Sequence, residues 1–215
     1  MIKSILKIHL EILDNNRKKL LEKLPLFIEN FVLGGGTALS LQINHRISYD
    51  FDFFTSSPIP RQLLEELSKE IEIGNIVIDT SSELTFLTKN DIKVTFLHYP
   101  FKTGLEPIVS ENGLKLFSVG EIAIQKAYAI GRRGEYRDYF DLYTILKNNY
   151  ISFDTLISET KKVFGSVFDE KIFLEQLVYF GDLRSFEIAS VIGKKAPLEG
   201  EVRQYFKALV SSYMK

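Results

Sequence analysis

The chain has 215 residues, enough for one generous domain or two small ones, and its 45% hydrophobic and 26% charged content is that of an ordinary globular protein. With 27 basic against 28 acidic side chains, the net charge of −1 argues against a wholesale nucleic-acid coat while allowing a local basic cleft. The absence of cysteine excludes disulfides and Cys-based zinc sites, and three scattered histidines (His9, His45, His98) disfavour an all-His metal site.

The N-terminal stretch MIKSILKIHLEIL is interrupted by Lys7, His9 and Glu11, so it fits neither a signal segment nor a membrane span, and a cytoplasmic location is expected. Residues 4–24 carry Ile5, Ile8, Ile12, Leu20, Leu21 and Leu24 in a broken helical period that Pro25 interrupts. Phe31-Val32-Leu33 reads as a short buried strand running into Gly34-Gly35-Gly36. Thr37 to Ile43 reads as a short helix, and Tyr49 to Phe54 as a strand of period two. Pro60 fits the first turn of a helix to about Ile71. Strand-like segments follow at Ile76–Ile78, Leu84–Thr88 and Ile92–His98, the last two flanking a hairpin turn at Lys89-Asn90-Asp91.

Beyond Pro107 the texture becomes helical and stays so to the end. Ser118-Val119-Gly120-Glu121 is a capping box, with Phe117 and Ile122 placed as a hydrophobic staple. The helix it opens should reach about Ile130, break at Gly131-Arg132-Arg133-Gly134, and give way to a helix from Tyr136 to Lys147. Further helices are expected near 153–163, 168–180 and 197–213, the last with Val202, Tyr205, Phe206, Leu209 and Val210 as a core stripe. The fold class is α+β, a mixed N-terminal half followed by an all-helical C-terminal half.

The segment GGGTALSLQINHRISYDFDFF, residues 34–54, carries the chemistry. On an extended strand, Asp50 and Asp52 share a face about 6.6 Å apart along the backbone, while Phe51 and Phe53 point to the other face. Adjacent carboxylates repel, and a divalent cation turns that repulsion into a binding site. Mg²⁺ in particular takes a few carboxylate oxygens and completes its shell with substrate phosphates. Glycines between a strand and a helix let a ligand approach the backbone, and Thr37 stands at a helix N-terminus that favours phosphate. The segment is neither a Walker A loop nor a GxGxxG fingerprint. A plain turn and a chance Asp-x-Asp are the bland alternatives.

This arrangement resembles the polymerase β-like nucleotidyltransferases, and LGGGTALSLQINHRISYDFDFFT is similar to one branch, the AbiEii/AbiGii-type family, which includes toxins of toxin–antitoxin systems. The matching positions are Gly35, Gly36, Thr37, Ala38 and Leu39, then His45, Arg46, Ser48, Asp50, Asp52, Phe53 and Phe54. A second block, EIAIQKAYAIGRRGEYRDYFDLYTIL, matches the family pattern through Lys126, Arg132, Arg137, Asp138 and Asp141. The resemblance implies a polymerase β-like core, a small mixed sheet with flanking helices, over residues 1–115. It also implies a helical subdomain over 116–215 that completes the active-site cleft.

The activity implied is transfer of a nucleoside monophosphate from an NTP to a hydroxyl of RNA, such as a tRNA 3′ end, or of a protein, by a toxin with a cognate antitoxin. Asp50 and Asp52 are the expected ligands of Mg²⁺ or Mn²⁺. Gly35, Gly36, Thr37, Arg46, Ser48 and Arg132 form the expected nucleotide-binding set. Lys126 is expected to reach the nucleotide phosphates, or else to be a solvated helix lysine. Asp138 is the expected further active-site acid, with pairing to Arg133 or Arg137 as its structural alternative. Arg132 and Arg133 meet phosphate or form a simple basic turn.

One departure stands out. The family pattern often reads Lys-hydrophobic-Asp where this chain has Lys93-Val94-Thr95, so a third carboxylate is replaced by threonine. Two carboxylates suffice, Asp91 or Asp138 substitutes, or catalysis is weakened. A catalytically weak scaffold that binds NTP or RNA is therefore the alternative reading, and an Asp-x-Asp glycosyltransferase a more distant one.

Overall fold

A computed structural model describes residues 6–24, 27–101, 106–184, 186–190 and 195–215; Ile5 and Pro25 lie outside them. The chain divides into two compact units, Met1–Ser118 and Val119–Lys215.

The first unit is built on a seven-stranded mixed sheet. Its strands are β1 (Val32–Gly34), β2 (Phe51–Thr55), β3 (Ile73–Asp79), β4 (Glu83–Thr88), β5 (Lys93–His98), β6 (Ile108–Val109) and β7 (Lys115–Leu116). They lie in the order β3-β4-β5-β2-β1-β7-β6. The β3-β4-β5 meander is antiparallel, β5 and β2 run parallel, β2 and β1 antiparallel, and β1 and β7 parallel. Period two governs the two faces of β2. Phe51 and Phe53 are fully buried, with Phe53 stacked on Phe96 at 5.3 Å and Phe96 edge-on to Phe31 at 4.9 Å. Asp52 and Phe54 point to the opposite face and are half-buried.

Three helices accompany the sheet: α1 (Asn15–Lys23), α2 (Gly35–Ile43) and α3 (Leu63–Ser68). The expected helical stretch over 4–24 is shorter than the apolar pattern suggests. Leu10–Ile12 forms only a 3-10 turn, and α1 begins after Asp14, whose side chain accepts from the amide of Arg17. Leu6 instead bridges to Ser110 beside the sheet. α2 starts at Gly35, before Thr37, and ends where Asn44 adopts a left-handed conformation and its amide returns to Ser40. α3 is also shorter than expected, spanning neither Pro60 nor Ile71.

The expectation that the chain is purely helical beyond Pro107 is corrected by β6 and β7. Two residues are too few to display a period, and β7 exists because Leu116 pairs with Leu33 more than eighty positions earlier in the chain.

The second unit holds α4 (Val119–Ala129), α5 (Tyr136–Lys147), α6 (Phe153–Phe164), α7 (Glu170–Val178) and α8 (Glu199–Tyr213), close to the expected boundaries. α4 opens directly after Ser118, as the capping box requires. Ser152 and Asp169 cap α6 and α7 by accepting from the amides of Thr155 and Ile172. α5 is buried on nearly every side and packs against α4 and α8. Tyr136, Tyr139, Phe173 and Phe206 fill this core, and burial pushes the Tyr136 hydroxyl up to about 12. Of the core stripe expected on α8, Val202 and Phe206 are fully buried.

Candidate active site

Each glycine of the triplet has its own reason to lack a side chain. A Cβ on Gly34 would lie 2.5 Å from the Phe54 ring and 2.9 Å from the Phe117 ring. Gly35 has φ 63°, a left-handed conformation that costs an L-residue roughly 1–2 kcal/mol, and its Cβ would lie 2.6 Å from Asp52 Oδ2. A Cβ on Gly36 would fall 2.2 Å from the Arg46 guanidinium and 3.0 Å from Ser48 Oγ. The run is therefore a turn into which one carboxylate and one guanidinium are folded against bare backbone.

The register explains how the acid reaches it. Gly34 on β1 is level with Asp52 on β2, so the carboxylate lies beside the first turn of α2, where the amides have no intrahelical acceptors. Asp50 directly precedes β2, and the alternation extended one residue back puts it on the face of Asp52. The Thr37 hydroxyl donates to the Asp50 carbonyl and is 1% exposed. Thr37 therefore ties the acidic strand to α2 through its side chain. Arg46 is 4% exposed, donates to the Ile47 carbonyl at 3.0 Å, and with Ser48 covers Gly36. α1 holds the same corner from the other end, through Arg17 donating to the Tyr49 carbonyl at 2.8 Å.

Two half-buried carboxylates, one of them beside the bare backbone of Gly35, suit a hard divalent cation that takes few protein oxygens. Among the described residues no group of three or more His, Asp or Glu side chains gathers at one point. The protein would thus supply Asp50 and Asp52, with phosphate and water completing the shell.

The second motif has a different character. Lys126 of α4 is 5% exposed, and its Nζ lies 2.6 Å from Asp138 Oδ1 and 2.7 Å from Asp141 Oδ2, both aspartates being on α5. Arg133 donates to both oxygens of Asp138, at 2.7 and 2.9 Å, from an exposed position. Burial alone would raise the Asp138 carboxyl, but Lys126 and Arg133 outweigh it and hold it below its ordinary value. The solvated-lysine alternative fails, because Lys126 is buried and its charge is neutralised by two acids three residues apart on one helix face. The pairing with Arg133, named as the structural alternative for Asp138, is present, whereas Arg137 lies 3.3 Å from Glu135. Arg132 donates to the carbonyls of Tyr128 and Val167 and sits 3.8 Å over the Tyr128 ring, which stacks on Phe164.

The structure thus brings Gly35, Gly36, Thr37, Arg46, Ser48, Asp50 and Asp52 together in the first unit. It joins Lys126 to Asp138 in the second, where Arg132 makes separate contacts.

Two solved structures share this architecture. A crystal structure from H. pylori, described as a candidate nucleotidyltransferase, superposes with a TM-score of 0.58 at 21% identity, over 92% of each chain. The JHP933 protein of Helicobacter pylori gives 0.52 at 20% identity, over 93% of this chain and 94% of that one. The fold is that of the nucleotidyltransferases. The model of the family "Nucleotidyl transferase AbiEii toxin, Type IV TA system" matches residues 19–191, and the chain belongs to this family of nucleotidyltransferase enzymes. An uncharacterised protein of Aquifex aeolicus (strain VF5) is 31% identical over 211 residues, covering 94% of this chain and 98% of the relative. Among the described residues no helix is long and apolar enough to cross a membrane.

Proposed function

We propose that this enzyme transfers a nucleoside monophosphate from an NTP to a hydroxyl of RNA, such as a tRNA 3′ end, or of a protein, with release of pyrophosphate. It acts in the cytoplasm as a toxin paired with a cognate antitoxin; the family description, a toxin of a Type IV TA system, supports the toxin part of this reading. The observation that carries this reading is the left-handed Gly35, whose missing Cβ leaves room for the Asp52 carboxylate at the N-terminus of α2. An acid and a phosphate-favouring helix end at one corner suit a metal-bound triphosphate.

Asp50 and Asp52 hold Mg²⁺ or Mn²⁺, which when bound neutralises phosphoryl oxygens and lowers the pKa of an attacking hydroxyl. The backbone at Gly35, Gly36 and Thr37 receives phosphate oxygens, and Arg46 and Ser48 keep that loop in place. Lys126 and Asp138 serve as a mutually fixed pair, and Arg132 as a cation of the 131–134 turn. Positioning and charge neutralisation supply the catalysis, with no covalent nucleophile. Thr95, level with Asp52 where a third acid is usual, favours a second reading, a catalytically weak scaffold for NTP or RNA.

The test is incubation with Mg²⁺ or Mn²⁺ and each NTP labelled at the α-phosphate, with total tRNA and cell protein as acceptors. Label moved to one macromolecule by the wild type and not by Asp50→Ala/Asp52→Ala supports transfer and identifies NTP and acceptor. Metal-dependent NTP binding without transfer supports the scaffold, and absence of binding sinks both.

A further inference from the structure

Gly131 follows α4 with φ 83°, a left-handed turn, and the amides of Arg132 and Arg133 both return to the Ala129 carbonyl, at 3.0 and 3.2 Å. The two arginines then part. Arg133 meets Asp138, so its charge is neutralised. Arg132 folds back over Tyr128, one helical turn earlier, with its guanidinium carbon 3.8 Å from the ring centre. An edge-on guanidinium would put an N–H group between that carbon and the ring, so at this separation its flat face rests on the ring.

Beneath it, the Tyr128 ring stacks on Phe164 with centres 3.9 Å apart and 12° between the planes. Phe164 is buried, Tyr128 half-buried and Arg132 exposed, so three flat groups lead from the core to solvent. Two of the guanidinium N–H groups donate to backbone carbonyls, that of Tyr128 at 2.7 Å and that of Val167. Guanidinium N–H groups point outward in its plane, so these bonds fix the plane and leave its outer face open. Among the described residues no carboxylate pairs with Arg132.

We propose that the outer face of Arg132 is the platform on which a nucleobase stacks. The proposal rests on the nucleotide-transfer reading and deepens it, making Arg132 a contact to a base rather than to phosphate. Aromatic rings and arginine planes are the surfaces on which proteins stack unpaired bases, and the cation adds its attraction for the base's π-face. A guanidinium already held by two carbonyls loses less side-chain freedom on binding than a free one. The base belongs to the NTP or to an unpaired nucleotide of an RNA acceptor, the same chemistry from two sources.

The experiment uses 2-aminopurine, whose fluorescence is quenched by stacking, with the full chain and Mg²⁺. One probe is its riboside triphosphate, the other a single-stranded oligoribonucleotide carrying one such base. The chain has no tryptophan to obscure the emission. Wild-type protein should quench at least one probe, and which one identifies the source of the base. Arg132→Tyr keeps a flat face without charge, whereas Arg132→Lys keeps charge without the face; both are assayed below their melting temperatures. Affinity and quenching should persist in Arg132→Tyr, while Arg132→Lys loses the quenching and about tenfold in affinity. Loss in Arg132→Tyr, or unaltered binding in Arg132→Lys, overturns the platform. Wild-type binding without quenching overturns it as well and leaves the transfer reading standing. Stacking tolerates any base, so failure of both probes while an ordinary NTP binds also removes the platform alone. Failure of all four NTPs removes the transfer reading with it.

Discussion

In the first unit Asp52 stands half-buried beside Gly35, with Asp50 half-buried just before β2, whereas in the helical unit Asp138 and Asp141 are almost wholly buried around one lysine. The residue types are alike and the spacings similar, yet the surroundings differ. Asp52 lies beside the first turn of α2 and the bare main chain of Gly35. The helix pair is neutralised by Lys126 and, at Asp138, by Arg133. Carboxylates left partly in water keep their charge at little desolvation cost. Those drawn into a dry core persist only when their charge is met inside it, and then they hold helices in register. Family motifs mark both pairs equally, so what distinguishes the two pairs is burial.

Substitutions can break this contrast. The largest effect is expected from Lys126→Met, which leaves Asp141 and Asp138 buried without their common cation. Breaking such a cluster costs about 3–5 kcal/mol, read as a large drop in melting temperature of the whole chain. A small drop would place Lys126 among ligand-binding residues rather than frame residues. Asp52→Asn should behave in the opposite way. Its transfer rate falls about 10²–10³-fold, equivalent to about 2.7–4 kcal/mol of transition-state stabilisation, while its melting temperature holds or rises. Destabilisation in place of lost rate would make Asp52 structural.

Gly35→Ala lies between these cases. A left-handed alanine and the contact with Asp52 Oδ2 together should lower stability by about 1–3 kcal/mol, and the displaced carboxylate should weaken Mn²⁺ binding in the same protein. Stability loss without a change in Mn²⁺ affinity would uncouple the glycine from the metal corner.

The smallest and most gradual effect concerns pH. Because the Asp138 carboxyl is held below its ordinary 3.8, its ionised form stabilises the fold above that pH. This contribution is lost as pH falls through the folded-state value. Thermal melts should therefore be insensitive to this group from neutral pH down to about 5 and decline below about 4. Asp138→Asn should flatten that acid limb, and an unaltered limb would assign it to other carboxylates.

Periodicity carried much of this into the sequence. Alternation in YDFDFF separates core phenylalanines from acids because a strand turns successive side chains to opposite faces. α5 was legible from Tyr136 to Lys147, between a glycine-bounded turn and a polar stretch. The strands β6 and β7 were not, since each is two residues long and made by a distant partner. The pairing of Asp138 with Arg133 was open in the sequence, but the depth at which Lys126 sits was not, because a lysine on a helix is ordinarily solvated.

Local chemistry alone determined that a glycine turn precedes an acidic strand, that residues 119–147 form two helices, and that the family motifs are present. The tertiary structure decided which residue fills each space the glycines leave: aromatic rings at Gly34, a carboxylate at Gly35, a guanidinium at Gly36. It also decided that Thr95 stands between Asp52 and Thr85. Spacing along a chain sets which face a side chain takes, but its neighbour across a sheet is set by strand order and register, which long-range packing fixes.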